Sequence, residues 1–528
     1  MARNRYTNLM TPPAVASPIA FREKDMVKGR GGGYVFKVDD LQLLKRFVTI
    51  GTAGNTYYAS AREMTRENAE VVLRCAKHDP ALTASTIADI SHRGVAFRND
   101  TAIFALALMA ESGDPKARKE AFAAMRKVCR TASHFFLFQS YLNDLGGKWN
   151  RSRRNMTLDW YYQFTPDQLA YQCLKYQNRA GWAHRDLIRL GHVTSALAAT
   201  NDLFTYLIKG ELSERVPEIC HVYETMKEVK TGEVVGQLIA DHNLTWEFVP
   251  SQWLGDGNLW RILLPNLPYT AMLRNLARMT ANGTLGGREE INFVMARLME
   301  GEAIKKARIH PISILIAHKI YGQGKGEKGK LMWTPIPSIL SAMDAAFYKS
   351  FHYVEPTGKR ILIGLDVSSS MFGNQAGDTP LNSAEAASAM AMSLMRTEEA
   401  AHCMAFSDTF RKVPWSVDTP LERVLQQIHK IGFGRTDCSL PVTWATKNAL
   451  NFDLIIILTD NETNEGLHVP KALDEYQRKI NPHARFMTAA MVANAYSTAD
   501  PTRTDMMDAI GFSADLPSVV SGFAKGEF

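Results

Sequence analysis

RILIGLDVSSSM, residues 360–371, runs from an unbroken apolar stretch directly into a turn of oxygen-bearing side chains. Arg360–Leu365 is short, rich in Ile and Leu and without alternation, which predicts a strand buried on both faces. Asp366, Ser368 and Ser370 then alternate along the following loop, so their oxygens can converge on one point. A doubly buried strand that opens into a polar loop belongs in a parallel sheet, where ligands sit at the carboxyl ends of the strands.

The same grammar continues downstream. A helix around Ala384–Met395 leads to a strand at His402–Phe406, a helix at Leu421–Ile431 to a strand at Leu454–Leu458, and a helix near Pro470–Lys479 to a strand at Arg485–Val492. Alternating βα units predict a doubly wound α/β domain. Two more loops fall at strand ends, one carrying Gly434-Arg435-Thr436-Asp437 and the other Thr459-Asp460. The carboxylates of Asp366 and Asp460 with the hydroxyls of Ser368, Ser370 and Thr436 make a hard-oxygen set. It suits a divalent cation, Mg²⁺ above all, with waters completing the octahedron. Hydroxyls add little charge, so the ion stays electrophilic toward an acidic oxygen from a partner. The pattern resembles the metal-ion-dependent adhesion site of von Willebrand factor A-type domains. The alternative is a Ser-rich turn that satisfies its own backbone. Asp437 is an extra ligand or, the preferred reading, a loop cap or a residue supporting the ligands. Arg435 stands where such domains commonly carry a small residue; a bulky cation there would weaken metal binding or gate access to the ion, unless its side chain points away.

Upstream, from about Leu41 to Lys349, the texture is helical. Asp114-Pro115 pairs an N-cap with a Pro at the first helical position. Ala117, Ala121, Ala124, Met125, Val128 and Cys129 then share one side, and Lys116, Lys119, Arg126, Lys127 and Arg130 the other. Helices of this kind without a strand-rich interval predict stacked pairs, although no clean repeat period emerges. Residues 1–33 read as a flexible tail, with Pro12, Pro13, Pro18 and a Gly-rich run at 29–33 that lacks a P-loop ending. The expected division is a tail at 1–33, a helical module at 34–355 and the α/β domain at 356–528.

Charge follows that division. Gly358 to the end carries 15 Lys+Arg against 20 Asp+Glu, which leaves 46 against 34 upstream. A basic helical body points to polyanions. The six Cys form no C-x-x-C pair, which argues against a zinc finger and for buried thiols in a reducing compartment. The longest apolar runs, such as Ala102–Ala110, fall short of the ~20 residues of a membrane span. With no signal-peptide pattern, the expectation is a soluble cytoplasmic protein. Neither G-x-S-x-G nor H-E-x-x-H occurs, and two carboxylates alone do not hold a two-metal nuclease centre.

Two stretches interleave cations with aromatics, as single-stranded nucleic-acid binders do. Lys148–Arg154 holds Arg151, Arg153 and Arg154 beside Trp149, followed by Trp160, Tyr161 and Tyr162. Lys175–His192 holds the second group. On a helix starting near Ala183, Arg185, Arg189 and His192 lie within about 60° of one another, while Leu187, Ile188 and Leu190 turn toward neighbours. The alternative for the first stretch is a solvated charged loop; in the second, a lone His on a helix is usually structural, and His192 beside two Arg is the better RNA candidate.

The second stretch contains RAGWAHRDLIRLGH (179–192), which resembles the signature of the Ro autoantigen (TROVE-module) family. So do FVTIGTAGNTYYAS (47–60), LPNLPYTAMLRNLARMT (264–280), KKARIHPISILIAHKIYGQG (305–324), the joint at 340–371, GRTDCSLP (434–441), LTDNET (458–463) and TADPTRTDMMDAIGFSADLP (498–517). The resemblance covers nearly the whole chain after the tail. It implies an α-helical HEAT-like repeat ring, an α-solenoid closed by the von Willebrand-type domain, in a monomeric, non-enzymatic protein of prokaryotic type. It further implies Y RNA on the outer surface and the single-stranded 3′ ends of misfolded or precursor RNA in the central hole. A 3′-to-5′ exoribonuclease would be a working partner, with neither membrane nor DNA involved. Carried onto this chain, Lys175, His184, Arg185, Arg189 and His192 become candidate Y RNA contacts. Arg151, Arg153 and Arg154 become candidates for either RNA surface. Two rival readings are a metal-dependent ribonuclease using Asp366 and Asp460, and a protein–protein adhesion scaffold.

Overall fold

The computed structural model describes residues 26–28, 34–36, 40–50, 56–58, 69–93, 99–326, 330–377, 379–431, 436–460, 468–492, 498–500, 503–510, 512 and 514–527. Most of the 1–33 tail lies outside them. Two compact units form, one gathering Ala69–Val294 and Gly324–Ile336, the other Met295–Gln323, Pro337–Phe528 and a segment from upstream of Ala69.

The first unit is helical. The helices that concern the site are α1 (Pro115–Val128), α2 (Ala132–Asp144), α3 (Arg151–Tyr162), α4 (Pro166–Lys175), α5 (His184–Gly191), α6 (Ala198–Lys209) and α7 (Glu218–Glu228). Packing runs from α1 to α3, α3 to α5, α5 to α6, α6 to α4 and α4 to α7, a solenoid-like succession of helix-on-helix contacts. Local chemistry sets the ends. Asp114 accepts from the Lys116 amide at 2.9 Å and Pro115 follows it. Thr165 and Gln168 form a reciprocal capping box at the start of α4. The periodicity of α1 is realised: Ala117, Ala121, Met125 and Val128 are buried, whereas Lys116, Lys119, Arg126, Lys127 and Arg130 face water.

The second unit is a seven-stranded sheet flanked by helices. Its strands are β1 (Thr56–Tyr58), β2 (Ile361–Asp366), β3 (Ala401–Phe406), β4 (Phe410–Lys412), β5 (Leu454–Thr459), β6 (Arg485–Ala490) and β7 (Met506–Ile510). The order is β1-β7-β6-β5-β2-β3-β4, parallel except for the antiparallel edge β4. All side chains of β2 and β5 are buried, as doubly covered strands require. Helices α8 (Pro311–Gly322), α9 (Pro337–Ser350), α10 (Ser383–Thr397), α11 (Leu421–Ile431), α12 (Leu440–Lys447) and α13 (Val469–Lys479) complete what concerns this unit. Gly364 lets α12 sit close on β2, since a β-carbon there would lie 2.7 Å from Pro441. The α/β unit extends upstream of the texture change near Pro356: α8 ties to α10 through Lys319 and Glu385 at 2.5 Å. β1, from far earlier in the chain, extends the sheet beside β7. All six Cys are buried free thiols. Among the described residues no helix is long and apolar enough to cross a membrane.

Candidate metal centre and RNA-facing surface

The centre forms where β2 and β5 end together. Leu365 pairs with Leu458, so Asp366 and Thr459 stand side by side one residue later. The Thr459 hydroxyl donates to Asp366 Oδ2 at 2.5 Å, and the Ser368 amide to Asp366 Oδ1 at 2.8 Å. Ser368 and Ser370 hydroxyls lie 3.1 Å apart. Asp460 accepts from the Asn374 side-chain amide at 3.2 Å. Asp366 and Asp460 are each 1% exposed, with Ser368 and Thr436 nearly as buried. Burial pushes the Asp366 carboxyl up to about 6; the bonds from Thr459 and Ser368 oppose this and the Asp460 carboxylate adds to it. Two buried acids with neighbouring hydroxyls fit a hard dication, which offsets the cost of their burial.

The Asp437 amide donates to Ser407 O at 2.9 Å, which fixes the Thr436 loop to the end of β3. The Asp437 carboxylate accepts from the amide and hydroxyl of Ser439 at 2.9 and 2.7 Å, the geometry of a loop cap before α12. Arg435 lies outside the described residues. Thr459 and Asn374 are supporting groups that the motif reading missed. The strand register points to the first; nothing in the sequence marks the second.

In the helical unit, a two-residue hairpin turn, Ala180-Gly181 with both φ positive, leads from Arg179 to Trp182. α5 follows, with the Ala183 amide donating to the Asp186 carboxylate at 3.1 Å. Leu187, Ile188 and Gly191 turn into the unit, and Gly191 is where α5 meets Thr157 of α3. Arg185, Arg189 and His192 are exposed, as is Arg179. Leu190, expected to turn inward, is 41% exposed on this face. Lys175 is half-buried, with Nζ 3.3 Å from the Tyr171 hydroxyl and close to the Tyr171 and Tyr176 rings. Burial pulls its ammonium down, but the Tyr171 hydrogen bond and the Glu247 carboxylate outweigh this and hold it above the ordinary value.

Two expected surface residues are core residues. His184 is 3% exposed. Its Nδ1 lies 2.9 Å from the Tyr161 hydroxyl and its Nε2 3.2 Å from the Tyr176 carbonyl. A carbonyl only accepts, so Nε2 carries the proton and Nδ1 accepts. Phe136 and Trp160 wall the ring, and burial pushes its pKa down to about 3. Arg153 is 1% exposed. Its Nε donates to Gln139 Oε1 at 2.9 Å, Nη1 to Gly147 O at 2.9 Å and Nη2 to Gln139 O at 3.1 Å. The guanidinium also sits 4.3 Å from the Trp149 ring centroid. Burial pulls its pKa down to about 10 while Glu111 pushes it back up, so it stays charged at neutral pH. Neither side chain is placed to meet RNA directly. Arg151 is exposed and Arg154 half-buried, so these two remain candidates.

Known proteins carry the same two-part organisation. The sequence matches the TROVE domain over 27–235 and 239–320, and the Ro60 vWA domain over 360–524. The chain belongs to the Ro60 family. Among its Ro60 relatives, an RNA-binding protein RO60 of Deinococcus radiodurans is 34% identical, covering 96% of each chain. One of Caenorhabditis elegans is 32% identical over 95% of this chain and 90% of the worm protein. The crystal structure of the Deinococcus radiodurans RO (RSR) protein superposes with a TM-score of 0.86 at 32% identity, spanning 93% of this chain and 100% of that one. This Ro60-family chain thus pairs a helical TROVE module with a von Willebrand-type α/β domain.

Proposed function

We propose that this chain is a non-enzymatic RNA-binding protein of RNA quality control or processing. It would hold a small noncoding Y RNA on the outside of a helical ring and admit the single-stranded 3′ end of a misfolded or unprocessed RNA to the hole. The observation that carries the reading is the α5 surface. Arg185, Arg189 and His192 stand together in solvent with Arg179 beside them, while the apolar side of the same helix is buried. Charge left unburied on a structurally anchored helix is available to phosphates. Lys175, Arg151 and Arg154 add to this set; His184 and Arg153 act by shaping it. Recognition is then by charge and by a free tail, and a bound exoribonuclease would act on what the ring has sorted.

In the α/β unit, Asp366, Ser368, Ser370, Thr436 and Asp460 would hold Mg²⁺, whose open coordination position suits a carboxylate of a protein partner. The residues themselves do the positioning: Thr459 and the Ser368 amide orient Asp366, and Asn374 orients Asp460.

The test is filter binding of a labelled structured RNA with a single-stranded tail across a salt series, using wild type and an Arg185→Ala/Arg189→Ala protein. The double variant is expected to lose affinity and to flatten the log K–log salt slope by about 1 to 2, near one unit per lost phosphate contact. Equal affinity and slope would remove the α5 face from the RNA site. Mg²⁺-dependent cleavage of the RNA by wild type, abolished by Asp366→Ala, would replace the binding reading with the nuclease one.

A further inference from the structure

Beside the α5 face is a cavity of about 320 Å³ among α4, α5, α6 and α7. Cys173 and Leu174 give it an apolar floor, and its polar wall is Gln177, Arg185, Tyr206, Tyr223, Glu224 and Lys227. The hydrogen bonding of that wall is lopsided. The Tyr206 hydroxyl and the Lys227 ammonium both donate to the same oxygen of Glu224, Oε1, the latter at 2.6 Å. Among the described residues no donor reaches Oε2. Gln177 gives its amide N–H groups to the Tyr223 hydroxyl at 2.7 Å and the Leu174 carbonyl at 3.3 Å, and among the described residues its own oxygen has no donor. Tyr223 accepts from Gln177 and keeps its O–H to donate. Lys227 lies 4.5 Å from the Tyr223 ring centroid, so the cation and the ring hold each other in place.

The cavity therefore offers two open acceptors, Glu224 Oε2 and the Gln177 oxygen, close to donors from Tyr223 and Arg185, above an apolar floor. A flat heterocycle with an amine edge next to a ring acceptor satisfies both kinds of group. The volume is at the lower end of small-ligand sites, enough for one base and too small for a paired stack. Exposed Arg185 lines the cavity and belongs to the cationic face of α5.

We propose that this cavity receives one unpaired nucleobase bearing an exocyclic amine, adenine or cytosine, from an RNA held along α5. The amine donates to Glu224 Oε2 and the adjacent ring nitrogen accepts from Tyr223, while Arg185 meets the flanking phosphate. Uracil presents a carbonyl where the amine would be, against the Glu224 carboxylate, and is disfavoured. Sequence preference on this surface then comes from one base taken out of the strand, in the manner by which proteins read single-stranded RNA.

This inference rests on the RNA-binding reading, and the experiment separates the two. Affinities of the full-length protein for labelled oligoadenylate, oligouridylate and an oligoadenylate with abasic positions are measured for wild type, Glu224→Gln and Leu207→Trp. Glu224→Gln keeps an oxygen for Tyr206 and removes the carboxylate; Leu207→Trp fills the cavity from α6. Wild type is expected to prefer oligoadenylate over oligouridylate and over the abasic strand by about tenfold, the worth of one charge-assisted hydrogen bond. Both variants should lose that preference while binding oligouridylate as wild type does. Unchanged preference in both variants, with their melting temperatures intact, overturns the base pocket and leaves RNA binding standing. Failure of wild type to bind any of the three strands overturns both.

Discussion

Replacing Arg153 with alanine should damage the helical unit rather than its proposed RNA surface. The guanidinium is 1% exposed and makes three donations, to Gln139 Oε1, Gln139 O and Gly147 O, at 2.9, 3.1 and 2.9 Å. Gln139 in turn donates to Thr157 at 3.1 Å, and Thr157 to the Arg153 carbonyl at 2.9 Å, so the side chain couples α2 to α3. Truncation leaves three acceptors short of donors, takes a cation from near Glu111 and opens space under Trp149. An unsatisfied buried polar group costs about 1–3 kcal/mol, and removal of one partner from a buried charged network about 3–5 kcal/mol in all. Water reaching Gly147 recovers part of this, so the lower half of that range is expected. At about 2–4 °C per kcal/mol for a unit of this size, the melting temperature should fall by about 10 °C. The assay is thermal unfolding followed by circular dichroism on Arg153→Ala and Arg151→Ala proteins, with RNA binding measured well below both transitions. Arg151, exposed on the same helix, should leave the melting temperature unchanged and weaken RNA binding. An Arg153→Ala protein that melts with wild type but has lost RNA affinity would refute the reasoning, because the side chain would then face the nucleic acid.

Two further outcomes are expected. Isothermal titration with Mg²⁺ should show one binding event for wild type and none for Asp366→Ala; binding that survives this substitution would place the cation elsewhere. Acid should weaken the helical unit through His184. Its pKa is about 3 when folded, against ~6.5 for a free imidazole, so between these values the unfolded chain holds the extra proton and stability rises with pH. Stability from this residue is whole above pH ~6.5 and declines below it, by on the order of 3 kcal/mol at pH ~4.5. Urea unfolding at neutral and acidic pH should show that slope, and it should be shallower in His184→Phe; identical slopes would mean His184 is protonated in the fold.

Much of this was legible because each element carried its own pattern. The unbroken apolar runs at Ile361–Leu365 and Leu454–Leu458 are the central strands β2 and β5, and the polar loops after them meet as parallel strand ends must. β1 could not be read. Three residues give no periodicity, and their partner β7 is set by tertiary contact alone. β4 escaped because it is three residues long at the sheet edge, and β7 because Asp508 interrupts its apolar run, although it lies inside the sheet between β1 and β6. Asn374 reaches Asp460 from a loop with no regular spacing, so no motif announces it.

The two misplaced residues, Arg153 and His184, had a signal in the sequence, in the angle each makes with its own apolar neighbours. At 100° per residue, with Arg151 at zero, Met156, Trp160 and Tyr161 of α3 fall at about 140°, 180° and 280°. Arg153 falls at about 200°, inside that buried arc, while Arg151 is opposite it. On α5, with His184 at zero, Leu187, Ile188 and Gly191 fall at about 300°, 40° and 340°, which encloses His184 itself. Arg185, Arg189 and His192 fall between about 80° and 140°, on the open side. Clustering along the chain made neighbouring basic residues look alike; rotation about the helix axis separates Arg153 and His184, which hold the scaffold, from Arg151, Arg185, Arg189 and His192, which it presents. Charge density in a segment is therefore a poor guide to a binding face until each cation has been placed on its helix. The division also bears on the proposed RNA surface: the buried His184 and Arg153 hold, from beneath, the helices on which the exposed arginines stand.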